Sequence, residues 1–134
     1  LTMKMLKAVS FTLGAVALGA TAMSASAADI AAGKALVEKG GCVACHGKDL
    51  NAPISPDYPK LAGQHQDYIY HALLSYQISG NPLVGRNNAI MAGQVKSNPA
   101  VTGKDGKPRE FTRKELKDIA AYIESLPGDL VLKK

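Results

Sequence analysis

Cys42-Val43-Ala44-Cys45-His46 is the stretch from which the rest of the chain is read. Two cysteines three residues apart share one face of a helical turn. Both thiols then reach neighbouring vinyl edges of a single porphyrin and form thioethers. The histidine directly after them is held under the ring, its imidazole aimed at the iron from the proximal side. A C-x-x-C-H run of this kind is a signature of c-type haem attachment. Cys42 and Cys45 are also the only cysteines in the 134 residues, so no disulfide framework competes for them.

Two other chemistries share part of the pattern. A thioredoxin-like redox pair needs a βαβ setting, and no β-rich stretch precedes Cys42. A zinc site could take Cys42, Cys45 and His46 with His65 or His71, but adjacent Cys45 and His46 depart from the usual ligand spacing.

Compartment favours haem. Lys4 and Lys7 precede an uncharged run from Ala8 to Ala22 and then Ala25-Ser26-Ala27. That order of basic, apolar and small residues reads as a secretory signal peptide over residues 1–27. The run is rich in Ala and Gly and short of a comfortable membrane span, so no stable membrane insertion is expected after cleavage. Met3 and Met5 are alternative translation starts, and Leu1 fits equally the start of a fragment. Cleavage after Ala27 leaves residues 28–134, 107 in all, as one domain. Export places the two cysteines in the periplasm, where bacteria attach c-type haem.

Methionine usage points the same way. Met3, Met5 and Met23 leave with the leader, and Met91 is the one thioether remaining. A His/Met-ligated haem iron suits electron transfer, with the sulfur raising the reduction potential. A lone Met is otherwise core filler. Met91 lies in Asn87-Asn88-Ala89-Ile90-Met91-Ala92-Gly93, which reads as a polar, small-residue loop, so Met91 is expected as distal ligand beside His46.

Cys42 to Gly47, the run Tyr58-Pro59-Lys60-Leu61-Ala62-Gly63-Gln64, Met91 and the last helix together resemble the class I c-type cytochromes. The likeness is to small bacterial monohaem proteins similar to one half of the dihaem periplasmic cytochromes. It implies an all-α fold, about three main helices wrapped around one covalent haem c. It also implies that a proline carbonyl orients His46, with Pro59 the matching position, and that Leu61 packs on the haem face. On sequence alone Pro59 is not distinguished from Pro56. In the family the first and last helices cross closely, and Gly33 and Tyr122 match that pairing.

Taken in order, Asp29 is an N-cap for a helix from Ile30 to Glu38, closed by Gly40-Gly41. A turn-rich loop follows from Asn51 to Gly63. Gln64 to Ser79 reads as the central helix, with Ile69, Ala72, Leu73 and Tyr76 at helical spacing. Its Tyr68, Tyr70 and Tyr76 are expected to edge the haem. His65 and His71 are the alternative sixth ligands, otherwise surface or propionate-side residues. Residues 81–92 read as the distal loop, with Arg86 a candidate propionate or partner contact. In the long connection from Gly93 to Phe111, Asp105-Gly106 signals an exposed hairpin or loop. Thr112 and Glu115 form a capping box ahead of a helix whose inner face is Leu116, Ile119, Ala120 and Ile123.

Composition agrees with a cofactor-centred core. The chain lacks Trp, and of its two Phe only Phe111 lies outside the leader, so a buried porphyrin supplies apolar bulk. Formal charge falls from +5 to +3 once Lys4 and Lys7 are removed, and haem propionates lower it by about two more. That balance, without a Lys/Arg run, excludes nucleic acid as a partner class. The expectation is an exported one-haem protein that is no enzyme. It would exchange electrons by outer-sphere contact with redox proteins: an oxidase, a reductase or a dehydrogenase. A dedicated cytochrome subunit of a periplasmic dehydrogenase is the alternative, and a haem sensor or peroxidase would require an open distal position.

Overall fold

Helix α1 (Ile30–Lys39) begins where Asp29 accepts a hydrogen bond from the Ala32 amide, satisfying one of the free N–H groups of the first turn. Helix α5 (Arg113–Ser125) begins with both halves of the expected capping box. Thr112 accepts from the Glu115 amide, and Glu115 accepts from that of Thr112. Between them run a single turn, α2 (Val43–His46), then α3 (Gln66–Gln77) and α4 (Ala89–Lys96). A two-stranded antiparallel hairpin, β1 (Asn98–Thr102) and β2 (Pro108–Arg109), precedes α5. This computed structural model describes residues 27–81 and 83–129, so the expected leader lies outside the described residues apart from Ala27.

Helix α5 is the hub of the fold. It packs chiefly on α1 and then on α3, while α4 packs on α3. Its inner face is the expected one: Leu116, Ile119, Ala120 and Ile123 are all buried. They join Val37 of α1, Ile69 of α3, Val95 of α4, Val101 and Phe111 in one core, to which the loop residue Leu50 also belongs.

Gly33 explains the closeness of α1 and α5. A Cβ at that position would lie 2.0 Å from the Asp118 carbonyl oxygen and 3.0 Å from the Ile119 nitrogen. The partner of the glycine is thus the α5 main chain at Asp118 and Ile119, one turn before Tyr122. Asp118 locks the crossing: its buried carboxylate accepts from the Asp29 amide at 2.8 Å and from Lys114 Nζ at 2.8 Å. Burying a polar group is costly unless it is hydrogen-bonded, and these partners meet that cost.

Three elements differ from the sequence reading. Helix α3 is two residues shorter at each end than Gln64–Ser79, because Gly63 turns toward α5, its amide donating to the Ile123 carbonyl, and Ile78 is extended. Residues 89–92 are helical, not loop. Asn88 accepts from the Met91 amide at 2.9 Å and starts α4. Only Val95 of α4 is buried, so the helix has no apolar stripe to betray it. The all-helical frame expected from sequence is therefore enlarged by two short helices and a hairpin.

The hairpin turns at Gly103–Lys107, where Asp105 accepts from the Lys107 amide and Gly106 takes φ +74°. Arg109 reaches from β2 to Glu115 with two parallel hydrogen bonds of 2.9 and 2.8 Å. Asn98, at the start of β1, is buried and bridges three main-chain groups. It donates to the carbonyls of Gly40 and Gln94, at 3.2 and 2.9 Å, and accepts from the Ala100 amide.

Gly33→Ala should force α1 and α5 apart and destabilise the protein by about 3 kcal/mol, read as a lower urea midpoint of the purified protein. A change under about 0.5 kcal/mol would mean the crossing tolerates a methyl. Glu115 gives a pH dependence. The Arg109 hydrogen bonds, above all, hold its carboxyl below the ordinary value of 4.5. The unfolded chain therefore binds more protons there, and the contribution is full above that value and fades as pH falls through the folded pKa. Glu115→Gln should flatten the decline of stability with acid; an unchanged slope in acid urea titrations would contradict this.

Candidate haem site

The end of α1 delivers the first cysteine. Gly40 caps the helix, and Gly41, at φ +72°, reverses the chain so that the Cys42 amide donates to the Val37 carbonyl. One helical turn follows. The amides of Cys45 and His46 both donate to the Cys42 carbonyl, and that of Gly47 donates to Val43. Cys42 and Cys45 therefore sit on the same turn, both partly buried and both free thiols. Burial, ahead of the neighbouring Cys45, pushes the Cys42 thiol above its ordinary pKa, against a backbone hydrogen bond.

His46 is 7% exposed. Its Nδ1 lies 2.9 Å from the Pro59 carbonyl oxygen, so of the two prolines left open by sequence it is Pro59 that His46 meets. A carbonyl only accepts, so Nδ1 donates to it and Nε2 is the ring nitrogen left to face a metal. A metal-ligating histidine needs that tautomer and that fixed ring. Tyr58 adds an edge-on ring contact, with centroids 6.3 Å apart.

The intervening loop is folded tightly enough to hold this geometry. Gly47, at φ +86°, passes so close to Ala52 that a Cβ would lie 2.2 Å from the Ala52 carbonyl oxygen. The Ile54 amide returns to the Cys45 carbonyl at 3.1 Å. Leu50 is 1% exposed and takes a left-handed φ of +54°. Its carbonyl accepts from both Leu61 and Ala62 amides, at 2.8 and 3.0 Å. That pair fixes the chain just after Pro59.

Leu61, Met91, Cys42 and Tyr76 are partly buried, and all pack against the same core. Met91 occupies the first turn of α4, placed by the Asn88 cap. His65, the residue preceding α3, is exposed. His71 is exposed too and lies edge-on to Tyr70, 5.0 Å between centroids. Among the described residues no group of three His, Cys, Asp or Glu side chains is placed to hold a metal ion. No described helix is long and apolar enough to cross a membrane. Sequence reasoning missed Asn88 and Asn98. Asn88 carried an N-cap signal ahead of Ala89, whereas a bridging asparagine such as Asn98 leaves no local mark.

Residues 30–127 match the family model of cytochrome c. The chain is 34% identical to cytochrome c4 of Stutzerimonas stutzeri over 95% of its own length and 52% of that protein. Cytochrome c-554(548) of Halomonas halodenitrificans is 33% identical, over 74% of this chain and 98% of that one. The crystal structure of reduced recombinant cytochrome c4 from Pseudomonas stutzeri superposes with a TM-score of 0.57 at 31% identity, covering 78% of this chain and 48% of that one. The chain thus spans about half the length of the cytochrome c4 proteins it matches. It belongs to the cytochrome c family, whose haem c is bound covalently.

Proposed function

We propose that this chain is an exported one-haem electron carrier whose iron is ligated by His46 and Met91. The observation that carries the reading is the hydrogen bond from buried His46 to the Pro59 carbonyl, which leaves Nε2 as the free donor. The donor set fits the cofactor: two free thiols on one turn, an oriented imidazole and a thioether packed against the same core. Cys42 and Cys45 would carry the two thioether links. Leu61 would wall the haem, and Pro59 would hold the proximal ring.

Bound haem iron supplies reversible one-electron chemistry. The chain's own contribution would be to hold His46 and Met91 in place as donors to the iron. His46 is fixed by Pro59 and by its burial. Met91 is fixed by the Asn88 cap at the start of α4. With His46 and Met91 both bound, the iron would have no position left for a substrate, and the chain would act as a carrier and not as an enzyme. Redox proteins are its partners, met through the small contact areas usual for electron-transfer encounters. The basic and apolar leader over residues 1–27 supports a periplasmic location.

An optical spectrum with a potentiometric titration of the purified holoprotein tests the ligand pair. Ferric wild type should show the weak long-wavelength absorption of an iron–thioether bond. Met91→Ala should lose it, titrate at a lower potential and bind carbon monoxide when reduced. An unchanged low-spin spectrum and potential in Met91→Ala would move the sixth ligand to His65 or His71. The attachment assignment has its own readout. Cys42→Ser and Cys45→Ser should each retain at most one thioether, seen as a shifted pyridine haemochrome spectrum, and the double variant should hold no haem after acid-acetone extraction.

A further inference from the structure

The segment between α3 and α4 leads directly into Met91, yet it is open to solvent: Leu83 is 90% exposed and Val84 55%, and Ile90 in the first turn of α4 is 62% exposed. Burial therefore does little to hold it. Its internal hydrogen bonds are local, from Gly85 to the Asn81 carbonyl and from Leu83 to the Asn81 side chain. Arg86 is what ties it to α3. The Arg86 amide donates to the Ser75 carbonyl at 3.1 Å. Its guanidinium carbon lies 5.7 Å from the Tyr76 ring centre and 5.9 Å from that of Tyr68, two residues eight apart on α3. A planar cation spanning two aromatic faces fixes position better than a flexible ammonium can. Hydrogen bonding with Tyr68, the largest cause, and with Tyr76 raises the Arg86 pKa, so the charge persists.

We propose that Arg86 is a positioning residue for the distal ligand: gripped between Tyr68 and Tyr76, it holds the segment that enters α4 and so sets how readily Met91 leaves the iron. The inference rests on the reading of Met91 as sixth ligand. Breaking the grip leaves Asn88 to cap α4 but lets the segment before it swing. Met91 then spends a larger fraction of time detached, and an incoming ligand gains in proportion to that fraction.

The test is imidazole binding to the ferric holoprotein by stopped flow. At saturating imidazole the rate is limited by departure of Met91. Arg86→Gln should raise that limiting rate about tenfold, in keeping with the loss of two cation–ring contacts. Arg86→Lys should also raise it, since one ammonium cannot span both rings. Tyr68→Phe and Tyr76→Phe keep the rings and should give smaller increases of roughly twofold to threefold; they serve if Arg86→Gln fails to fold. Thr112→Ala, which removes the cap of α5, should lower the melting temperature and leave the limiting rate unchanged. That control separates positioning from general destabilisation.

An unchanged rate in Arg86→Gln overturns the proposal. So does a wild-type rate in Arg86→Lys with silent tyrosine variants, which would assign the effect to charge alone. The underlying ligand reading fails separately: an unaltered ferric spectrum in Met91→Ala removes it, whereas loss of the thioether band there with normal opening rates in the Arg86 variants removes only the clamp.

Discussion

Two helices from opposite ends of the chain approach until a single hydrogen atom fills the space between them, and the molecule is built on that contact. Gly33 lies against the Asp118 peptide where a methyl carbon would be 2.0 Å from the carbonyl oxygen. Helix propensity argues against glycine there, by about 1 kcal/mol relative to alanine. The close approach outweighs it, because the main chains come near enough for Val37, Leu116 and Ile119 to join one buried cluster. Asp118 secures the same crossing with a buried carboxylate shared between Asp29 and Lys114. From the crossing α1 runs on as a stiff rod to Gly40 and Gly41, so the position of Cys42 is inherited from the packing of α5.

The proximal histidine depends on α5 a second time. Where that helix ends, its Ile123 carbonyl takes the Gly63 amide, and Gly128 passes so close to Ala62 that a Cβ would lie 2.1 Å from the Ala62 carbonyl oxygen. These contacts fix the segment holding Pro59 and Leu61. His46 arrives by way of α1 and α2, Pro59 by way of the loop, and both routes are referred to one helix. Leu50 closes the circuit. Its left-handed main chain, unusual for a branched apolar residue, is over-determined by full burial and by two amides on its carbonyl. The 2.9 Å hydrogen bond between His46 and Pro59 is therefore a product of the whole frame and not of the five-residue motif alone.

What was legible in the sequence was whatever has a local cause. The spacing of Cys42, Cys45 and His46, the caps at Asp29 and Thr112, the Asp105-Gly106 turn and the apolar face of α5 all follow from neighbours a few residues away. What stayed hidden depends on residues distant in the chain. Pro59 and Pro56 are equivalent as turn formers, and only the fold of the loop brings the Pro59 carbonyl to His46. Helix α4 buries one residue and is formed mostly of small side chains, so periodicity gave no hint of it. Its cap, Asn88, was the one local sign of it, three residues from the Met91 amide it accepts from. The close neighbour of Gly33 is the main chain of Asp118, and main chain has no sequence signature.

The pairing of α1 with α5 also sets an order on folding. Asp29 and Asp118 are 89 residues apart, so until α5 has formed α1 has nothing to close upon. The Cys42–His46 turn then stands at the end of an unpacked helix, with both thiols accessible. Docking of α5 draws α1 inward and encloses the turn. Long-range closure of this kind is slow in folding terms, so the two thiols are among the last groups the fold encloses.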